Sequence, residues 1–224
     1  MPQYNSITFE DILKNEEIKA YIENGNHNLG EIGYTEHGFP HAKRSANYAC
    51  RILKSLGYKE RTCELAEIAG YMHDIGNVVN RADHAQSGAL MAFGILNRLG
   101  MPPDEIAQIT AAIGNHDEGT AAAVSPIAAA LILADKGDVR RTRVRDKETV
   151  NEDIHDRVNY AVEHAATKID PERKTVTLVI SIDTEICPVM EYFEIFMTRM
   201  VLCRRAAQYL GLQFELIIND TRLL

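Results

Sequence analysis

The feature that most constrains the fold is a succession of segments, over about the first 170 residues, in which apolar residues recur every three or four positions. This spacing places apolar side chains on one face of an α-helix. The residues between the segments are rich in Gly, Pro and Asn, which begin or end helices. We therefore predict helices that pack into a bundle, with a loop over 25–38. The predicted helical segments are 8–24, 41–57, 60–76, 83–100, 102–119, 125–138 and 150–169.

The pattern changes after Pro171. Residues 174–183 alternate and are rich in β-branched side chains, which predicts a strand. A long helix over 188–211 and a second strand over 212–220 follow. The sequence thus predicts a mainly α fold. A helical domain over residues 1–170 would carry a small β-α-β appendage, residues 171–224, packed on it.

Composition restricts the class of protein. Hydrophobic residues make up 46% of the chain and charged residues 25%, as in ordinary soluble domains. The net charge of −8 argues against a general nucleic-acid surface, and no apolar run reaches the roughly 18 residues of a membrane helix. The N-terminus lacks a secretory pattern, so we expect a cytoplasmic protein with reduced thiols. The cysteines are Cys50, Cys63, Cys187 and Cys203.

Two predicted helices carry carboxylates where a core side chain is expected. In the segment 69–77, AGYMHDIGN, His73 continues the apolar face and Asp74 follows it near the helix end. Asp135 lies on the apolar face of the segment 125–138. An unpaired buried carboxylate costs several kcal/mol, and neither helix has Lys or Arg among its apolar residues. A divalent cation with imidazole ligands would neutralise both, although a lone buried histidine is also common as a hydrogen-bonded core residue.

Three further histidines lie at helix ends. His41 opens its predicted helix, His84 lies in a first turn, and His116 ends a helix. Helix termini that converge on a common centre are one way to build a metal site in a helical bundle. Each of these positions is equally ordinary for a polar residue, so the set and not the single residue indicates a metal site.

A basic run follows the second buried carboxylate. Lys136 comes directly after Asp135, and four arginines follow within residues 136–147. Guanidinium and ammonium groups bind phosphate, so Lys136 is a candidate contact to a substrate phosphate. For most of the arginines, Arg140, Arg141, Arg143 and Arg145, the favoured interpretation is a solvated loop paired with Asp138, Asp146 and Glu148.

The motifs in this order resemble the HD superfamily of metal-dependent phosphohydrolases. They are HAKRSANYACRIL, AGYMHDIGN, DHAQSGALMAFGIL, IGNHDEG and LILADKGD, and the resemblance covers about residues 35–145. It implies that four residues hold one metal, namely His41, His73, Asp74 and Asp135. In the two-metal members of the superfamily the Asp of the pair bridges and two intermediate histidines hold the second ion. His84 and His116 match those two positions.

The resemblance implies an enzyme with two divalent ions per chain. The mixed nitrogen and oxygen ligands favour Fe or Mn, with Co, Ni or Zn as alternatives. The implied reaction is hydrolysis of a small phosphate ester, with nucleotides among the candidates, by a metal-bound hydroxide. Asp74, Asp135 and Lys136 would be the catalytic residues. A residual apolar face on the predicted helix 188–211 would provide a contact for a homodimer.

Two other functions stay open at this point. The same ligand set resembles the mixed-valent di-iron oxygenases of the superfamily, such as myo-inositol oxygenase. A non-catalytic metal-binding module is the other alternative. Cyclic-di-GMP hydrolysis is not expected, because the chain has Asn115 in place of a second adjacent histidine and lacks a GYP sequence. His37, which stands where that class often has Glu, is as consistent with a solvated loop as with a place near the site.

Overall fold

The computed structural model describes residues 4–224, except for the side chain of Thr149, so the first three residues of the predicted helical domain lie outside the described residues. The described part is mainly helical with a small sheet near the C-terminus, as predicted. The helices are α1 (Phe9–Lys14), α2 (Glu16–Glu31), α3 (Phe39–Ser55), α4 (Glu60–Met72), α5 (His84–Leu99), α6 (Pro103–Gly114), α7 (Pro126–Lys136), α8 (Ile154–Ala161) and α9 (Val189–Tyr209). The strands are β1 (Val162–Asp170), β2 (Thr175–Ile182), β3 (Gln213–Ile218) and β4 (Thr221–Arg222). Short 3-10 helices lie at Ile75–Val78, Arg141–Arg143 and Glu148–Asn151.

The N-terminal helical segment differs from its prediction in two ways. The single helix expected over 8–24 is broken at Asn15, which leaves the helical conformation and accepts a hydrogen bond from the Ile18 amide at 3.1 Å. The loop expected over 25–38 is wrong for residues 25–31, which continue α2. Gly25 belongs to the interface of α2, because a Cβ there would lie 3.1 Å from the Val78 backbone nitrogen. A glycine that serves close packing was thus interpreted as a helix breaker.

The centre of the bundle is α7, where every residue from Ile127 to Lys136 is buried. Ser125 caps this helix through a hydrogen bond from the Ala128 amide, and Pro126 occupies its first turn. Helices α3, α4 and α6 pack against α7. A helix whose first nine residues are all uncharged and mostly apolar is stable only where other helices cover it on all sides.

Two glycines allow main chains to approach closely around α4. A Cβ on Gly70 would lie 2.7 Å from the Ala46 Cα of α3. A Cβ on Gly76, in the 3-10 helix after α4, would lie 2.0 Å from the carbonyl oxygen of His84 at the start of α5. Real Cβ atoms do not reach such distances, so both approaches require glycine. They bring the ends of α3, α4 and α5 together.

The predicted helix over 150–169 is wrong in its second half. Helix α8 ends at Ala161, and Val162–Asp170 forms β1, which pairs antiparallel with β2. Most β1 side chains are exposed or half-buried, so this edge strand has no alternating apolar pattern to announce it. Its conformation depends on pairing with β2 and not on local preference.

The predicted β-α-β unit is confirmed. Strands β2 and β3 are parallel neighbours in a sheet of order β1-β2-β3-β4, and α9 is the connection between them. The buried side chains of β2, such as Leu178 and Ile180, join the same apolar core as Phe196 and Met200 of α9. Helix α9 also packs against α7, which places one of its faces beside the helical bundle.

Among the described helices, none combines the length and the apolar character of a membrane-spanning segment.

Candidate metal centre

Six polar side chains from five helices meet at one end of the bundle. His41 lies in the first turn of α3, His84 begins α5, and Asp135 lies in the last turn of α7. His73 and Asp74 follow α4 directly, and His116 follows α6. None of the six is more than 9% exposed. The structure thus brings together every side chain that the sequence analysis singled out as a metal ligand.

The first half of the cluster surrounds His41. Its Nε2 atom lies 3.2 Å from Nε2 of His73 and 3.3 Å from Oδ1 of Asp135. Oδ2 of Asp74 lies 3.6 Å from the same His41 nitrogen and 3.3 Å from the His73 nitrogen. Two imidazole nitrogens and two carboxylate oxygens therefore face one point.

The second half lies on the other side of Asp74. Nε2 of His84 is 3.2 Å from Nε2 of His116, and Oδ1 of Asp74 is 3.4 Å from the former and 3.9 Å from the latter. Asp74 therefore presents one oxygen to each pair of histidines. His73, His116 and Asp135 also bring ligand atoms within 4.8 Å of one another, so the two halves form one continuous cluster.

The hydrogen bonds fix which ring nitrogen points inward. A carbonyl oxygen only accepts, so an Nδ1 atom bonded to one carries the proton and leaves the Nε2 lone pair facing the cluster. Three rings are held in this way by carbonyls of the preceding turn. The donors and acceptors are His73 with Gly70 (2.8 Å), His84 with Arg81 (3.0 Å) and His116 with Ile113 (2.6 Å).

The fourth ring, His41, is held by a carboxylate. Its Nδ1 lies 2.8 Å from Oδ2 of Asp138, which also binds Arg44 and Arg140 through Oδ1. Burial alone would raise the pKa of Asp138, but the hydrogen bond from His41 and the nearby arginines hold that pKa below its usual range. Asp138 therefore stays ionised, and it orients the His41 ring with Nε2 toward the cluster.

This contact yields a first prediction. Replacing Asp138 with asparagine should weaken metal binding by about 10- to 100-fold, because outer partners of ligating histidines have effects of that size. Titration of the metal-free protein with Mn²⁺ would measure the change. Asp104→Asn, at an exposed position in the first turn of α6, is the matched control and should bind metal like the wild type. Equal affinities in Asp138→Asn and the control would show that Asp138 does not orient His41.

Burial and neighbouring charges shift the pKa values of the side chains in the cluster. Burial would raise the pKa of Asp74, but the adjacent His73 holds that pKa well below its usual range. Burial lowers the pKa of His73, and the carboxylates of Asp74 and Asp135 more than offset it, raising the value to about 10. Burial lowers the pKa of His116 to about 3. His116 is therefore a neutral imidazole, and a metal that binds His73 must displace a proton.

The residues fit a metal. Oδ2 of Asp74 is buried and has no hydrogen-bond partner among the described residues. The Nε2 atoms of His84 and His116, 3.2 Å apart, place two lone pairs opposite one another, which is unfavourable unless a cation lies between them. Imidazole nitrogens with carboxylate oxygens suit Fe, Mn, Co, Ni or Zn better than Mg or Ca.

Lys136 reinforces one side of the cluster. Its Nζ atom lies 2.8 Å from Oδ2 of Asp135 and 3.4 Å from Oε2 of Glu118, and the side chain is buried. Burial lowers the pKa of Lys136, but the two carboxylates raise it above its usual value overall. The cation that Asp135 requires thus comes partly from the neighbouring residue. Asp74 has no such ammonium partner among the described residues.

A cavity of about 500 Å³ lies beside the cluster. His37, Arg81, Arg143 and Arg199 line both the cavity and the open side of the cluster. The outer part of the cavity is lined by side chains that include Tyr34, Phe196 and Asp153. The open side of the candidate metal centre therefore presents three arginines, with the carboxylates of Asp117 and Glu118 also in the cavity lining. It communicates with a space large enough for a small molecule.

The basic run is only partly the solvated loop that the sequence predicted. Arg140 pairs with Asp138, as expected, and also with Glu36. Arg143 is 4% exposed, so the prediction of a solvated residue is wrong for it. The run instead anchors the segment 34–37, because Arg143 donates to the Glu36 carbonyl and Arg145 to the Tyr34 carbonyl.

The four histidines outside the cluster differ in their exposure to solvent. His27, His155 and His164 are exposed, and His155 also lines the outer cavity. His37 is half-buried, with its ring 5.5 Å from that of His41, so the alternative of a place near the site is the one observed. Asn115 donates a hydrogen bond to the Ala111 carbonyl.

Sequence reasoning missed four side chains around the cluster, namely Arg81, Glu118, Asp138 and Arg199. Asp138 lies three residues after Asp135, and Glu118 lies two after His116, so proximity to a ligand was an available signal. Arg199 had none, because it lies on α9, far along the chain in a segment that was interpreted as core packing.

The chain is similar to one known family and to two known proteins. The family model described as HD domain matches residues 38–154, just over half of the chain. The uncharacterized protein MJ1020 of Methanocaldococcus jannaschii is 28% identical over 159 residues, and the match spans 61% of this chain and 61% of the length of that relative. A crystal structure of a predicted HD superfamily hydrolase from an uncultured Thermotogales bacterium has a TM-score of 0.45 and 23% identity, covering 60% of this chain and 75% of that chain. The family match includes all six clustered side chains.

Proposed function

The chain belongs to the HD domain family, and from that premise we propose that it is a metal-dependent phosphohydrolase acting on a small phosphate ester. The observation that carries the proposal is the position of Asp74, whose two carboxylate oxygens each face a pair of histidine Nε2 atoms. The basic side of the cavity supports an anionic substrate. Nucleotides are among the candidate esters.

The proposed ligands divide into two sets that share one residue. The first set, in which Asp74 supplies Oδ2, is His41, His73, Asp74 and Asp135. The second set, in which Asp74 supplies Oδ1, is Asp74, His84 and His116. Shared use of one carboxylate supports two divalent transition-metal ions per chain, with Fe or Mn as first choice.

Metal ions bound there would lower the pKa of a water molecule and neutralise phosphoryl oxygens. The chain's own residues supply the rest of the mechanism. Lys136 keeps its proton and holds Oδ2 of Asp135, which leaves Oδ1 directed at the His41 and His73 nitrogens. Asp135 is in this way fixed to orient an attacking water molecule. The ammonium of Lys136 adds positive charge where negative charge grows during phosphoryl transfer.

The decisive experiment is a phosphate-release screen of the 224-residue chain reconstituted with Mn²⁺ or Fe²⁺. We expect phosphate release from at least one member of a panel of small phosphate esters that includes nucleotides. Oxygen consumption by the iron-loaded protein, without phosphate release, would replace the proposal with the di-iron oxygenase alternative. Retained metal with neither activity would indicate a non-catalytic module.

Lys136 gives a second prediction. Lys136→Met should lower kcat/KM by about 10- to 100-fold, because a charge-assisted contact to phosphate and to Asp135 is lost. The metal-to-protein ratio should stay at the wild-type value, since Lys136 is a partner of a ligand and not a ligand. Lys43→Met, at an exposed position on α3, is the matched control. Unchanged kinetics in Lys136→Met would limit Lys136 to a structural role.

A further inference from the structure

We propose that Arg199 and Arg143 form a clamp for the terminal phosphoryl group of the substrate, so that the C-terminal β-α-β unit completes the site. The proposal rests on the phosphohydrolase function proposed above. It assigns a substrate-binding residue to α9, a helix outside the matched region 38–154. It also narrows the substrate to a phosphate monoester or another molecule with a terminal phosphoryl group.

Arg199 reaches the site from α9 and is held from behind. Its Nε atom lies 2.6 Å from Oε1 of Glu118, and its guanidinium stacks on the Phe196 ring at 4.4 Å from the centroid. No hydrogen bond or ion pair among the described residues uses its Nη1 or Nη2 atom. These two donors form the end of the guanidinium fork. The side chain lines both the cavity and the open side of the cluster, so the fork is available to a bound molecule.

Glu118 links this arginine to the cluster. Its Oε2 atom lies 3.4 Å from Nζ of Lys136, which in turn binds Asp135. These contacts fix Arg199 beside Lys136 and leave its outer donors unused.

Arg143 occupies another side of the opening. Its Nε and Nη1 atoms donate to the carbonyl oxygens of Glu36 and Asp138, both at 2.9 Å. Its ion pair with the Asp138 carboxylate is long, at 4.0 Å, while Arg44 and Arg140 lie 2.9 and 3.0 Å from the same carboxylate. The positive charge of Arg143 is therefore incompletely neutralised. Its Nη2 atom has no hydrogen bond among the described residues and remains for a ligand.

The combination suits a terminal phosphoryl group. Two guanidinium groups and the Lys136 ammonium offer donors from several directions, and a terminal phosphoryl group has three non-bridging oxygens to receive them. A diester has only two such oxygens and one negative charge. With the phosphoryl group at this inner end, the remainder of the ester would extend into the outer cavity beside Tyr34.

The test uses inorganic phosphate as the probe and the 224-residue chain with bound Mn²⁺, after removal of free metal. Calorimetric titration would compare the wild type with Arg199→Met, Arg199→Lys and Arg205→Met, the last at an exposed position on the same helix. Arg199→Met should weaken phosphate binding by about tenfold or more, as expected for a lost charge-assisted hydrogen bond. Arg199→Lys should recover part of the affinity, and Arg205→Met should match the wild type. Metal content should be equal in all four proteins.

Either of two results in the phosphate titration would overturn the clamp. One is phosphate affinity in Arg199→Met within about twofold of the wild type, and the other is no phosphate binding by the metal-loaded wild type at millimolar concentration. The proposed hydrolysis has a separate test, because it would be contradicted by the absence of phosphate release from every ester. In that case the phosphate titration would still show whether Arg199 binds a phosphoryl group. If the wild type hydrolyses an ester, Arg199→Met should raise KM more than it lowers kcat. An unchanged KM would remove the clamp and leave the hydrolase.

Discussion

Replacing Asp74 with alanine is expected to remove both metals and to lower kcat/KM by at least about a thousandfold. Loss of one charge-stabilising donor in an active site already costs about 10²- to 10³-fold, and Asp74→Ala removes a ligand from each metal at once. The reason is the orientation of this side chain, which faces His41 and His73 with one oxygen and His84 and His116 with the other. Elemental analysis and a kinetic assay measure the two effects.

The other ligand variants should behave unequally, and this inequality is the sharper test. His84→Ala and His116→Ala should each lose or weaken one metal and keep the other. His41→Ala and Asp135→Ala should preferentially lose the metal bound by the first ligand set. Circular dichroism should show a retained helical spectrum in each case, and Asp104→Ala serves as the control. If the wild type never exceeds one metal per chain and His84→Ala equals it, the two-metal proposal is wrong, and a mononuclear phosphohydrolase would remain.

Removing the metal from the wild-type protein is expected to lower its melting temperature by roughly 10 °C. A ligand at 1,000 times its Kd stabilises the native state by about 4 kcal/mol. For a chain of 150–250 residues each 1 kcal/mol shifts the melting temperature by about 2–4 °C. The structural cause is the pair of buried carboxylates, Asp74 and Asp135, one of which has an unpartnered oxygen among the described residues. Thermal unfolding followed by circular dichroism, before and after exhaustive chelation, measures the shift.

The control for this measurement is Asp74→Ala. Because that variant should hold no metal, the chelator should leave its melting temperature unchanged. Addition of Mn²⁺ to the chelated wild type should restore the original curve. An unchanged melting curve in the wild type, with loss of metal established by elemental analysis, would contradict the claim that the buried carboxylates require a cation.

Local sequence signals predicted the helix boundaries correctly where the conformational preference of the residues agrees with tertiary packing. Ser125 with Pro126 marks the start of α7, and Gly100, with φ of 83°, marks the end of α5. The errors arose where tertiary contacts override local preference. Residues 25–31 stay helical because Gly25 fits against the chain at Val78, and β1 is extended because β2 pairs with it. Gly25 and Val78 lie far apart in sequence, and the side chains of β1 lack an alternating apolar pattern, so no local pattern announced either structure.

The candidate site also contains residues that the sequence indicated and residues that only tertiary contacts bring to it. Asp74 and Asp135 were identified because a buried carboxylate is costly in a core, and the full set of six was identified because its order matches a family motif. That they come together is observed, while their roles as ligands remain a prediction. Arg199 could not be found, because its partner Glu118 is distant in sequence and an arginine on a helix ordinarily faces solvent. Contacts of this kind depend on how α9 packs against the bundle.

The close approach at Gly76 has a consequence for how such a centre can change. The main chain there lies against the carbonyl of His84, so the interval between the two pairs of histidines is set by backbone against backbone. Ligand identity, cavity lining and the basic opening all belong to side chains and can vary by single substitutions. The interval depends on the backbone at Gly76, where any added side chain would push the two main chains apart. Sequence divergence among related proteins is therefore expected to change which molecules enter the cavity long before it changes the distance between the two pairs of histidines. That distance could change only if the turn after α4 were rebuilt.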